Sequence, residues 1–206
     1  MPNSDRLFAV IPAAGRSRRM GRPKLLLPVG LEPLISRVIE TFQRPQIAAT
    51  VVVVRQSDVD LQQELAKTSA HVVTPGVDPP HMRDSIELAL AAIERTFQPA
   101  PADGWILCPA DHPLLDGSIL NRLMAAWRTC PTPIQVPVHK GRRGHPVFFR
   151  WSTVAALRAL PADAGVNALL KQHPDEVTAC NVEDEGVLFD LDTPEDYLKL
   201  CRRWAN

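Results

Sequence analysis

Residues 13 to 24, AAGRSRRMGRPK, carry two glycines and five cationic side chains within twelve positions. A glycine-bearing loop leaves backbone N–H groups unshielded, and guanidinium and ammonium groups add positive charge, so the stretch suits a cradle for phosphate oxygens. Two common phosphate motifs do not fit it. Five residues rather than four separate Gly15 from Gly21, and Lys24 follows three positions later, which rules out a P-loop. No G-x-G occurs, so the dinucleotide fingerprint is missing as well. The plain alternative is a solvated loop that binds nothing, but arginines packed this densely repel one another unless an anion lies among them. A nucleic-acid patch would need aromatic interleaving and a second basic stripe, and the chain has neither.

Carboxylates stand at two other places where chemistry could occur. Asp111 ends the apolar run WILCPAD, and it could help hold a magnesium ion against phosphates or simply cap the turn before Pro113. In DLDTPED, Asp190 and Asp192 offer a second carboxylate. Thr193 and Pro194 read as the N-cap and first residue of a helix, so Glu195 and Asp196 belong to its first turn. GRRGHPVFF adds His145, a residue that before a strand is more often a hydrogen-bonding group than a proton carrier. Arg142 and Arg143 there could meet an anion or face water.

The elements that must carry these residues alternate between strand-length apolar runs and stretches with apolar residues three and four apart, which argues α/β. Strands are expected at 7–12, 49–54, 71–74 and 105–111, and helices at 34–42, 58–68, 82–97 and 117–128. Shorter strands at 134–138, 146–149, 177–181 and 187–190, with helices at 152–159, 164–173 and 194–204, suggest an extended sheet or a subsidiary hairpin. In an open parallel sheet ligands sit beyond the carboxyl ends of the strands, where the basic loop and Asp111 both fall.

The 206 residues fit a single domain spanning 1–206, and 23 basic against 23 acidic side chains give no global field toward nucleic acid or an anionic membrane. The start, MPNSDRLFAVIPAAG, fits neither a secretion signal nor a membrane anchor, so a cytoplasmic location is expected. Cys108, Cys130, Cys180 and Cys201 form no C-x-x-C pair and read as thiols rather than zinc ligands or disulfides.

The strand followed by AAGRSRRMGRPKLLLP resembles the opening loop of the nucleotidyltransferases related to the molybdenum cofactor guanylyl- and cytidylyltransferases, a branch of the Rossmann-like NTP transferases. CPADHPLLD (108–116), GRRGHPVFF (141–149) and FDLDTPEDY (189–197) continue the resemblance in order over nearly the whole chain. It implies a three-layer Rossmann-like fold with a mostly parallel sheet and a small C-terminal β extension. The implied activity is magnesium-dependent transfer of CMP from CTP to the terminal phosphate of molybdopterin cofactor, releasing pyrophosphate. AAG and the lack of an aspartate before Lys24 look like the cytidylyl branch.

The resemblance further implies that Arg19, Lys24 and Asp111 are catalytic, and that Ala13, Ala14, Gly15, Arg16, Ser17 and Ser85 join Arg19 and Lys24 in binding the nucleotide. Asp111 with Asp192, or Asp190, would hold Mg2+, and Gly144, His145 and Pro146 would face the acceptor. A recipient molybdoenzyme is an implied partner. HMRDSIELAL, near the base and ribose in relatives, departs from their usual small residues, and AGVNALL lacks an acceptor-side arginine. Other readings are guanylyl transfer, a phosphorylated sugar or polyol as acceptor, or a noncatalytic cofactor chaperone. As an exposed cationic loop, Arg19 and Lys24 are expected to contribute little to stability.

Overall fold

The computed structural model describes residues 5 to 113 and 117 to 204. Leu114 to Asp116 of the CPADHPLLD stretch, and the first four residues, lie outside that range. In chain order the strands are β1 (Leu7–Pro12), β2 (Pro28–Val29), β3 (Glu32–Pro33), β4 (Ile47–Val53), β5 (His71–Val73), β6 (Gly104–Leu107), β7 (Ile134–His139), β8 (Arg142–Arg143), β9 (Val147–Arg150) and β10 (Val177–Asn181). The helices are α1 (Leu34–Thr41), α2 (Val59–Leu65), α3 (Met82–Phe97), α4 (Gly117–Arg128), α5 (Thr153–Ala159), α6 (Val166–Gln172) and α7 (Pro194–Trp204).

The main sheet runs β10-β7-β9-β6-β1-β4-β5. β1 pairs parallel with β4 and β6, β4 with β5, and β7 with β10, whereas β9 runs antiparallel between β6 and β7. The sheet is therefore mostly parallel, and its late strands extend it as expected. All six residues of β1 are buried, which a central strand covered on both faces requires. Alternation along β1 divides the core. Leu7, Ala9 and Ile11 pack with side chains of α1, α2 and α4, while Phe8 and Val10 pack with α3, α5 and α6. This is a three-layer arrangement.

Two expectations need correction. The strand expected at 105–111 ends at Leu107, although Cys108 and Ala110 still donate to Val10 and Pro12 oxygens. Pro109 has no N–H to give the ladder, so regular pairing stops there. Residues 187–190 form no strand. A 3-10 turn, Glu185–Leu188, occupies part of the run, its start capped by Asp184, whose Oδ1 accepts from the Gly186 N–H at 2.7 Å. The β2–β3 hairpin was not expected; Gly30, at φ 68°, makes its tight turn possible.

Candidate active site

The loop after β1 starts in register and then leaves the sheet. Ala13 N–H still donates to Val53 O at 2.9 Å, so that amide is spent on β4. The N–H groups of Ala14, Gly15, Arg16 and Ser17 make no hydrogen bond among the described residues. Four free donors in succession are what an anion cradle needs. A Cβ at Gly15 would meet no atom within 4 Å, so packing does not demand the glycine there. Ser17 adopts φ 47° and reverses the chain, its Oγ accepts the Lys24 N–H at 3.3 Å, and buried Met20 pins the loop to the core. A 3-10 turn, Lys24–Leu26, then buries Leu25 and sends the Lys24 side chain back across the cleft.

β1 and β6 are neighbours with Val10 opposite Leu107, which brings the loops after both strands to one edge of the sheet. There Lys24 Nζ lies 2.6 Å from Asp111 Oδ2 and 3.0 Å from Asp192 Oδ1, and Arg19 reaches Asp192 Oδ2 at 2.8 Å. The Lys24 side chain is only 13% exposed. Burial alone would push its ammonium down, but the two carboxylates outweigh that and hold it above the ordinary lysine value. The cluster lines a cavity of about 320 Å³ together with Ala13 to Arg19, Pro79, Pro80, His81 and Ser85. This volume suits a small-molecule ligand. An ammonium held between Asp111 and Asp192 shows that the pair encloses a cation position, and its oxygen-only donor set fits a hard ion such as magnesium.

Asp190 does not join that pair. Its Oδ1 meets His112 Nε2 at 2.6 Å, and this hydrogen bond holds the Asp190 carboxyl below its usual range. Ligand atoms of Asp111, His112 and Asp190 lie within 4.8 Å of one another, a mixed nitrogen and oxygen set that suits softer metals better than magnesium. His145 stacks edge-on to His112 at 4.9 Å, with Nδ1 3.4 Å from Leu107 O. Burial, aided by His112, pushes His145 down to about 4, so its imidazole is neutral at pH 7.

None of Gly144, His145 and Pro146, expected to face an acceptor, lines the cavity, and Gly144 and Pro146 are buried. A Cβ on Gly144 would come within 2.2 Å of Val187 O, so this glycine serves a close backbone crossing. Gly144 N–H donates to Pro137 O and His145 N–H to Val187 O, which fixes the segment to the 3-10 turn.

The opening of α3 is divided in the same way. Ser85 and His81 line the cavity, while Asp84 accepts from the His81 N–H at 2.8 Å and caps the helix. Arg83 turns away: 7% exposed, it donates to Leu157, Leu160, Pro161 and Ala164 oxygens and pairs with Glu87. It ties α3 to the carboxyl end of α5 and does not line the cavity. Thr193 and Asp196 cap α7 reciprocally, as expected. His81 opens the stretch expected near the base and ribose, whereas Pro79 and Pro80 were not singled out as a wall of the site, and nothing in their local pattern points to the loop 60 residues earlier.

The family model of the MobA-like NTP transferase domain matches residues 9–177. A molybdenum cofactor guanylyltransferase of Rhizobium meliloti (strain 1021) is 32% identical, over 95% of this chain and 90% of the relative. Purine catabolism protein PucB of Bacillus subtilis (strain 168) is 28% identical, over 94% and 95%. The crystal structure of Rv0371c from Mycobacterium tuberculosis H37Rv superposes with a TM-score of 0.78 at 24% identity, covering 97% of this chain and 99% of that one.

Proposed function

The chain belongs to the MobA-like NTP transferase family, and from that premise we propose that it transfers CMP from CTP to the terminal phosphate of molybdopterin cofactor, releasing pyrophosphate, in the cytoplasm. One observation carries the reading. Lys24 and Arg19 converge with Asp111 and Asp192 beside four unpaired backbone N–H groups, in a cavity of ligand size.

In nucleotidyl transfer an acceptor phosphate oxygen attacks the α-phosphorus in line with the departing pyrophosphate. Three anionic groups must be brought together, and the protein's work is positioning and charge neutralisation. The N–H groups of Ala14 to Ser17 receive phosphate oxygens, with Arg16 and Arg18 at the rim. Lys24, freed from the carboxylates, supplies a compact charge near the α-phosphate, and Arg19 spreads its planar fork toward the pyrophosphate. Asp111 and Asp192 would hold a magnesium ion, which when bound neutralises phosphate oxygens. Neutral His145 offers an unshared nitrogen pair and no charge, so on the acceptor side it orients a donor group rather than taking a proton. A phosphate nucleophile already ionised at neutral pH needs no base.

Base choice rests on Ala14, whose methyl narrows the cradle toward a pyrimidine. The guanylyltransferase name of the 32% identical relative favours GMP transfer as the second reading. Pyrophosphate release from each of the four NTPs, with and without molybdopterin cofactor at matched magnesium, tests both. Release from CTP that depends on the cofactor is expected. Release from GTP alone selects the second reading, and release from none of the four removes nucleotidyl transfer.

A further inference from the structure

The segment carrying Asp192 is joined to the turn carrying Asp111 by three successive links. Asp190 Oδ1 meets His112 Nε2 at 2.6 Å, the Leu191 N–H donates to Asp111 O at 2.9 Å, and Asp192 meets Asp111 across the Lys24 ammonium. Leu191 is fully buried while its two neighbours keep contact with solvent, so Asp190 and Asp192 lie on one face of the segment. The link through Lys24 must open if the lysine moves to a triphosphate. Only the first two then remain to hold the carboxylates at their spacing.

His112 is built for such a tether. It is 4% exposed, fixed by the His145 ring at 4.9 Å and set between Asp111 and Pro113 in a turn closed by the His112 N–H donating to Pro109 O. Asp190 is 53% exposed, so without the imidazole it would face water and lose its fixed direction. Its partner nitrogen therefore sets where this strandless stretch of backbone sits, and with it Asp192 two residues on.

We infer that His112 is a positioning residue, which by clamping Asp190 holds Asp192 at metal-binding distance from Asp111 once Lys24 has left them, and that Asp190 is a tether rather than a ligand. The inference rests on the proposed metal role of Asp111 and Asp192. It accounts for two carboxylates two residues apart of which only one faces Lys24. It also gives a use to a buried histidine whose second nitrogen, Nδ1, finds no partner among the described residues.

The test is Mn2+ binding to the full-length protein at saturating inorganic tripolyphosphate, read by water-proton relaxation, which reports metal on the macromolecule without turnover. His112→Ala and Asp190→Ala should each weaken Mn2+ by about tenfold, as loss of a partner behind a metal ligand commonly does. The double variant should be no weaker than His112→Ala, because both changes break one link. His112→Gln, whose amide can still donate to Asp190, should recover most of the affinity. Parent-like binding by both single variants, while Asp192→Asn loses the metal, overturns the tether and leaves the metal reading standing. Parent-like binding by Asp111→Asn and Asp192→Asn removes both. Failure of His112→Gln to recover affinity, or additive losses, would make His112 a ligand or Asp190 an independent one, contrary to the inference. Should His112→Ala not fold, Asp190→Ala and His112→Gln carry the same decision.

Discussion

Lys24 Nζ sits between Asp111 and Asp192, 2.6 Å from one and 3.0 Å from the other, so the free protein keeps its own cation where the proposed metal belongs. Two facing carboxylates without that ammonium would repel each other in a partly desolvated cleft.

Lys24→Met is therefore expected to lower the thermal midpoint of the metal-free protein, by roughly 1–3 kcal/mol of stability, and to gain it back in millimolar Mn2+. Mn2+ uptake without nucleotide should tighten at least about tenfold relative to the parent, because the metal no longer competes with a tethered ammonium. Arg19→Ala should leave the midpoint unchanged, since its side chain is 71% exposed and its ion pair is screened by water. Both variants should lose transfer activity. This separates two residues that as parts of a cationic loop were expected to behave alike; equal midpoints for the parent and Lys24→Met would show that the ammonium is not needed to hold the carboxylates apart.

His145 gives the folded protein a pH dependence. Burial brings it to about 4, against about 6.5 when unfolded. Between those values the unfolded chain binds the proton and the folded one does not, so stability falls as pH drops from about 6.5 toward 4. The full difference is on the order of 3 kcal/mol. Thermal unfolding across that window should show the slope, and His145→Phe should flatten it. A parent slope that survives the substitution would assign the proton to another group.

Arg83→Leu should destabilise by about 3 kcal/mol, because the buried guanidinium bonds four carbonyl oxygens in and after α5 and pairs with Glu87; Leu157 O and Pro161 O keep backbone donors, but Leu160 O and Ala164 O lose the guanidinium. The KM for nucleotide should change little at temperatures where the variant is folded. A large rise in KM with unchanged unfolding would place Arg83 at the nucleotide after all.

Ala14 lines the cavity in the loop that carries the four free N–H groups. Its methyl should favour the smaller base by on the order of 1–3 kcal/mol, roughly ten- to two-hundredfold in kcat/KM for CTP over GTP. Ala14→Gly should narrow that gap, since Arg83 and Asp84 are occupied elsewhere and leave His81 as the main counter-influence from α3. Competition at equal CTP and GTP measures it, and a parent preference for GTP would move the assignment to guanylyl transfer.

Residue order alone determined the alternation of strands and helices, because burial on both faces of β1 writes an unbroken apolar run into the chain and burial of one face of α3 writes a spacing of three and four. It also marked the basic loop, the capped start of α7 and both carboxylate stretches, since glycine, proline and charged residues act within a few positions of themselves. The tertiary structure alone decided which carboxylate faces Lys24, across 87 and 168 residues, and sent Asp190 to His112 instead. It turned Arg83 from the nucleotide to α5, and made Gly144 a crossing point for Val187 O rather than a lining of the site. Contacts of that range depend on where β9 and the 3-10 turn at Glu185–Leu188 come to lie, and a hydrogen bond formed across the fold leaves no periodicity in the sequence on either side of it.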